Sequence, residues 1–204
     1  MMEIKDKNSK TKLYGLVLSG GKSTRMGLDK GVIQYHDLPQ REHLYNLLSK
    51  VCTRTFLSIR EEQVNDISKG LDTIIDMDEY KGPFNGLLTA HSIYPEVAWF
   101  VIACDLPLID LNAINQLINL RDSSKVATAF ATRESGLPEP LAAIWEPGGL
   151  AKSINYLEHT TSSCPRKYLI NSDIKLVFPK DDIVLMNANS EEDYREVKSK
   201  LESI

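Results

Sequence analysis

Residues 13–30 read Leu-Tyr-Gly-Leu-Val-Leu-Ser-Gly-Gly-Lys-Ser-Thr-Arg-Met-Gly-Leu-Asp-Lys. The first part, Leu13 to Ser19, is short, apolar and closed by the Gly20-Gly21 pair, the pattern of a buried strand running into a turn. In the second part, Gly20 and Gly21 let backbone N–H groups approach phosphate oxygens closely, and Gly27 permits a second turn. Lys22, Arg25 and Lys30 stand against the single acid Asp29, so the loop is cationic although the chain as a whole carries a net charge of -4. A plain surface turn needs no such concentration of glycine and positive charge, whereas a cradle for a triphosphate does. Two familiar phosphate patterns fail here. The Walker A motif requires Gly, four residues, then Gly-Lys-Ser/Thr. Gly21-Lys22-Ser23 supplies its end, but the first glycine falls on Leu16, with Gly15 one position too early. No two glycines have the opening spacing of the dinucleotide pattern GxGxxG.

Outward from this loop, apolar runs alternate with amphipathic stretches. Strands are expected at Thr55–Ile59, Thr73–Ile75, Ala98–Ala103, Val126–Ala131, Pro140–Trp145 and Ile174–Phe178. Helices are expected at Leu38–Val51, Pro83–Tyr94, Leu111–Leu120 (capped by Asp110), Leu150–Leu157 and from a Ser190 cap to Leu201. Alternating strands and helices give an α/β three-layer sandwich with a mostly parallel, Rossmann-like sheet. The strands are continuously apolar, as strands covered on both faces are. Ligands in such sheets bind beyond the carboxyl ends of the strands, so the loops after Ser19, Ile75 and Ala103 are the ones to inspect.

At 204 residues the chain suits one domain. Apolar residues make up 42% and charged residues 25%, which excludes a disordered or fibrous protein. No apolar run approaches the ~20 residues that cross a bilayer. Residues 1–12 are lysine-rich, are expected to be mobile, and lack the apolar segment of a secretory signal. Cys52, Cys104 and Cys164 are odd in number and widely spaced, which suits a reducing cytoplasm. The acidic balance argues against nucleic acid as a partner.

Asp105 ends the strongest strand, in Phe-Val-Ile-Ala-Cys-Asp-Leu-Pro. A carboxylate there, beside a phosphate loop, is placed to hold magnesium, which takes one or two carboxylates together with phosphate oxygens and water. Asp76 ends the third expected strand and precedes Gly82-Pro83-Phe84-Asn85-Gly86, with Asp78 as the alternative acid. Gly82 and Gly86 would let a flat base lie against backbone. His36, His43, His91 and His159 are scattered and read as surface or helix residues rather than ligands. Nothing supports a serine or cysteine nucleophile, since GxSxG is absent. Asn187 to Glu192 reads first as a helix cap, with Ser190 and Glu192 or Asp193 forming the capping arrangement.

Leu-Ser-Gly-Gly, three residues, Arg-Met-Gly and then Asp-Lys resembles the signature loop of the MobA-like nucleotidyltransferases, with Ser19 where alanine is usual and one fewer residue between Gly27 and Asp29 than in some members. Asp-x-Pro at Asp105 and Gly-Pro-x-x-Gly at Gly82 follow in the family's order, and the resemblance runs from Leu13 to about Val197. It implies a nucleotide-diphospho-sugar-transferase-like fold and transfer of GMP from GTP to molybdopterin cofactor with loss of pyrophosphate. It also implies Mg2+ on Asp105, catalytic roles for Arg25, Lys30 and Asp105, and nucleotide contacts from Leu18, Ser19, Gly20, Gly21, Lys30, Ser58, Asp76, Gly82, Pro83, Gly86 and Asp105. The acceptor would meet Pro140, Asn187 and Asn189. Residues 13–204 then form a single domain, with a nucleotide-binding half (13–110) and an acceptor-binding half (111–204). Other molybdenum cofactor biosynthesis proteins and recipient apo-enzymes are the implied partners. Three alternatives stand beside this one: a cytidylyltransferase acting on the same cofactor or on a sugar or polyol phosphate, a non-catalytic GTP sensor, and a P-loop kinase, which the failed Walker spacing disfavours.

Overall fold

The computed structural model describes residues 11–21 and 29–202. In chain order their elements are β1 (Leu13–Leu18), α1 (Gln40–Ser49), β2 (Arg54–Ile59), β3 (Thr73–Ile75), α2 (Phe84–Ile93), β4 (Ala98–Ala103), α3 (Leu111–Asn119), β5 (Ala127–Ala131), β6 (Pro138–Trp145), α4 (Pro147–Glu158), α5 (Pro165–Ile170), β7 (Lys175–Val177) and α6 (Glu191–Leu201). Short 3-10 turns follow Asp29, Arg60 and Asp181. The expected elements all form. One helix, α5, was not expected, although Pro165 opens it in the position where a first-turn proline fits.

The strands make one sheet in the order β3-β2-β1-β4-β6-β5-β7. Only β6 runs against its neighbours, so the sheet is mostly parallel. Its two faces explain the unbroken apolar strands. In β4, Phe100 and Ile102 pack with Leu44 and Leu48 of α1 and Ile114 and Leu117 of α3. Trp99 and Val101 point the other way, against Phe84 and Leu87 of α2, Leu150 of α4 and Tyr168 of α5. Helices therefore cover both faces, and all six residues of β4 are buried. Gly15 sits inside β1 because α1 comes close: a Cβ there would stand 3.0 Å from Leu48 Cβ and from Thr55 Oγ1.

At the amino-terminal edge of the sheet, Arg121 makes a two-pronged ion pair with buried Glu146, at 2.6 and 2.8 Å. The same guanidinium donates to the Thr11 carbonyl, and the Ala98 amide donates to that of Lys12. Residues 11 and 12 are thus tied to the sheet, while residues 1–10 of the expected mobile tail lie outside the described residues. The histidines require a correction. His36 and His43 are not scattered: their rings stack with centroids 3.6 Å apart and planes within 9°. His36 Nε2 also lies 3.0 Å from the Pro107 carbonyl, in the loop after β4. Seven residues of sequence separation, interrupted by Pro39, conceal this contact.

Candidate active site

In register, Leu18 of β1 stands beside Ser58 of β2 and Ala103 of β4, and Ile59 beside Ile75 of β3. The carboxyl ends of four neighbouring strands therefore release their loops at one edge. Because β6 is antiparallel, its opening residues, Pro138 to Leu141, arrive at the same edge. Between these loops lies a cleft of about 420 Å³, a size ordinary for a small-ligand site. The three loops marked in the sequence all line it, through Gly20 and Gly21, Asp76 and Asp78, and Cys104 and Asp105. Leu18, Ser19, Lys30, Ser58, Gly82, Pro83 and Gly86 line it as well, so every expected nucleotide contact faces one space. Arg25, the remaining expected catalytic residue, lies outside the described residues, as does Gly27.

Asp76 organises the inner wall. It accepts a 2.6 Å hydrogen bond from Ser58 Oγ. Burial pushes its carboxyl above the usual range; the Ser58 hydrogen bond opposes this, Asp78 adds to it, and Arg60 opposes it. Two glycines make room for this pair. A Cβ on Gly20 would fall 2.4 Å from Asp76 Oδ2, and one on Gly86 would fall 2.1 Å from Ser58 Oγ. Gly86, expected to flatten the wall for a base, thus first admits the Ser58–Asp76 pair against α2. Gly82 has φ +64, the left-handed region, and leads into Pro83 at the start of α2. Asp78 also has positive φ (56), and Asn85 of α2 holds its bend by donating to Asp78 Oδ1 and accepting from the Tyr80 amide.

Across the cleft, Lys30 Nζ lies 3.8 Å from Asp105 Oδ2, with 22% and 27% of the two side chains exposed. Lys30 also donates to Asn189 Oδ1. Burial pushes the Asp105 carboxyl up, and Lys30 opposes that. Among the described residues no group of three His, Cys, Asp or Glu converges. The described residues offer no all-protein metal cage, but a strand-end carboxylate such as Asp105, beside the glycine pair and Lys30, is a donor that fits magnesium, which takes one or two carboxylates and completes its shell with phosphate oxygens and water.

The Asp105 carbonyl accepts from the Ala188 amide at 2.9 Å, which fastens the stretch before α6 to the end of β4. A second cleft, of about 580 Å³, opens beyond this point. It shares Gly82, Pro83, Asp105 and Leu141 with the first and contains Pro140, Asn187 and Asn189, the expected acceptor residues. Ser190 caps α6, accepting from the Asp193 amide, while Asp193 accepts from Asn189 and Ser190. The cap and the site thus share one turn.

A family model for the MobA-like NTP transferase domain matches residues 15–172. The chain belongs to the MobA-like NTP transferase family. A relative from Synechocystis sp., a molybdenum cofactor biosynthesis bifunctional protein, is 39% identical over 190 residues, or 93% of this chain and 54% of that protein. The chain therefore spans about half the length of that relative. A molybdenum cofactor guanylyltransferase from Shewanella piezotolerans is 23% identical, with 87% of each chain covered. In fold, this MobA-like domain resembles molybdopterin-guanine dinucleotide biosynthesis protein A from Archaeoglobus fulgidus, at TM-score 0.73 and 19% identity over 94% of this chain and 100% of that one.

Asn85 of this MobA-like domain reaches the first cleft without having been singled out as a ligand. Arg60, at the end of the Ser58–Arg60 stretch that the resemblance marks as a weaker nucleotide contact, lines the same cleft and donates to the Gly20 carbonyl at 2.5 Å. Across the second cleft from Asp105, Arg166 pairs with Glu139 at 2.5 Å, and both line that cleft. Burial pushes the Glu139 carboxyl up, with Arg166 opposing. The Glu139-Pro140-Leu141 segment, which resembles the family's Pro-Leu stretch, was the sequence signal for this wall; Arg166 had none.

Proposed function

We propose that this domain is a guanylyltransferase of molybdopterin guanine dinucleotide biosynthesis, moving GMP from GTP to molybdopterin cofactor. The observation that carries the proposal is that two clefts meet at Asp105, one rimmed by the glycine pair and Lys30, the other by Asn187, Asn189 and Arg166. A nucleotide in the first and a phosphorylated acceptor in the second would bring donor and nucleophile together there. The name of the Synechocystis relative points to molybdenum cofactor biosynthesis, and that of the Shewanella relative adds guanylyl transfer.

In the proposed reaction the triphosphate lies over Gly20, Gly21 and Lys30, and the base rests against Gly82, Pro83 and Gly86. Ser58 and Asp76 border it. An oxygen of the acceptor's terminal phosphate attacks the α-phosphorus. The new P–O–P bond forms as the bond to the β-phosphate oxygen breaks, and pyrophosphate leaves with that electron pair. A phosphate monoester is already ionised at neutral pH, so no general base is needed. Phosphoryl-type transfer relies on positioning and charge neutralisation. Lys30, with Arg25, offsets charge on the departing pyrophosphate. Mg2+, held by Asp105, would supply further neutralisation of phosphate oxygens. Residues 13–110 form the nucleotide side and 111–204 the acceptor side, where Pro140, Asn187 and Asn189 would border the molybdopterin.

A cytoplasmic setting suits the three free cysteines, and no helix among the described residues is long and apolar enough to cross a membrane. Product transfer would involve recipient apo-enzymes and other cofactor-assembly proteins. The test is pyrophosphate release from GTP with Mg2+ and molybdopterin. Release with guanine dinucleotide formed is the expected result. Preference for CTP would instead make the domain a cytidylyltransferase, and GTP binding without release would make it a sensor.

A further inference from the structure

Gln63 lies in the 3-10 turn after β2, is 3% exposed, and uses every polar atom of its side chain. Its Oε1 accepts from the Arg60 amide at 2.8 Å. Its Nε2 donates to the Ser19 carbonyl at 3.2 Å and to Asp29 Oδ2. Ser19 and Asp29 stand on opposite flanks of the glycine-rich stretch, ten residues apart in sequence, and this one amide joins them. Asp29 is engaged on its other oxygen too, accepting from the Gly31 amide at 2.8 Å and so capping the turn that carries Lys30. Behind it stands Arg41 of α1, 2% exposed, with Nη1 3.9 Å from Asp29 Oδ2. The fit is close: a Cβ on Gly31 would fall 2.4 Å from Ser19 Oγ.

We infer that Gln63 and Asp29 form a positioning clamp that fixes Lys30 and the Gly20 backbone relative to each other. Neither residue is a catalytic group; both act through Lys30 and the glycine pair. An amide suits this place because it offers two hydrogens, one for a carbonyl and one for a carboxylate. Glutamate, the same shape, would set a second carboxylate against Asp29 and leave the Ser19 carbonyl without its donor. Buried polar groups left unpaired are costly, so the flanks would part rather than stay.

The inference rests on the nucleotide-cleft reading for its kinetic arm and not for its structural arm. The variants are Gln63→Glu, Asp29→Asn and the two together. Each single change sets like groups face to face, carboxylate on carboxylate or amide on amide. The double variant restores a donor–acceptor pair between residues 63 and 29 with its direction reversed, while the Ser19 carbonyl stays without its donor. Expected for each single variant are at least tenfold faster hydrogen exchange of the Gly31 amide and at least a tenfold lower kcat/KM for GTP, with the KM for molybdopterin unchanged. The double variant regains at least half of the loss in Gly31 exchange on a logarithmic scale, and a smaller part of the loss in kcat/KM. Single variants that leave Gly31 exchange unchanged, or losses that simply add in the double variant, overturn the clamp. Restored Gly31 protection in a protein whose wild type releases no pyrophosphate keeps the clamp and removes the guanylyltransferase reading.

Discussion

Lys30 and Asp105 hold each other at 3.8 Å beside a space sized for a small ligand, and each is assigned a different part of the proposed transfer. Asp105→Ala removes the carboxylate proposed for Mg2+, and Lys30→Ala removes the ammonium proposed to face the leaving group. Loss of one such contact costs about 10²–10³ in turnover. Each variant is expected to lose that much in a pyrophosphate-release assay while its circular dichroism and melting temperature stay near wild type. Activity within a few-fold of wild type would strip the residue of its role. Gly20 gives a second prediction. Its missing Cβ is the space taken by Asp76 Oδ2, so Gly20→Ala must push the carboxylate and the turn apart. A shift of about 1 Å in a reacting group costs about 10²-fold, and the loss is expected in kcat/KM for GTP, measured at saturating acceptor. These positions were legible in the sequence because glycine pairs and strand-end aspartates carry their meaning locally. Gln63 and Arg166 were not, because a glutamine or arginine outside a motif means nothing until the fold shows what it faces.

Elements settle what single residues leave open. The strand ends, the Asp110 cap and the Ser190 cap follow from local pattern, and they form as expected. The helix α5 eluded the pattern because six residues give too little periodicity to read. The stacking of His36 on His43 eluded it for another reason: it joins α1 to the segment before it and to the loop after β4 through tertiary packing alone. That packing has a consequence for pH. Burial, with His36 and Lys50 adding, lowers His43 from 6.5 to about 4. Between those values the unfolded chain binds a proton that the folded chain refuses. The stability that His43 contributes is therefore fully present above pH 6.5 and is lost as pH drops toward 4. The melting temperature of the wild type should fall across that window more steeply than that of His43→Phe, which keeps the stack and loses the titration. Parallel curves would contradict the assignment.

On the scale of the whole molecule, the sheet concentrates chemistry at one edge and fastening at the other. The Arg121–Glu146 pair joins the end of α3 to the end of β6 and reaches Thr11. Removing one partner of a buried ion pair costs about 3–5 kcal/mol, because the other charge is left buried and unpaired. Urea unfolding of Glu146→Ala should show a loss of that order, and Arg121→Met with Glu146→Leu should recover much of it. A loss below about 1 kcal/mol would mean the pair is solvated. The fold class was readable from the strand-helix alternation, and the edge carrying the site from the parallel topology. The reversed strand β6, which delivers Glu139 to Leu141 beside Asp105, was not readable, since strand direction is set by pairing rather than by composition. The decisive measurement is a crystal structure with GTP and Mg2+. It is expected to show triphosphate over Gly20, Gly21 and Lys30, guanine against Gly82 and Pro83, and the metal between Asp105 and the phosphates. A nucleotide bound away from Asp105, or with its base in the cleft of Asn187 and Arg166, would contradict it.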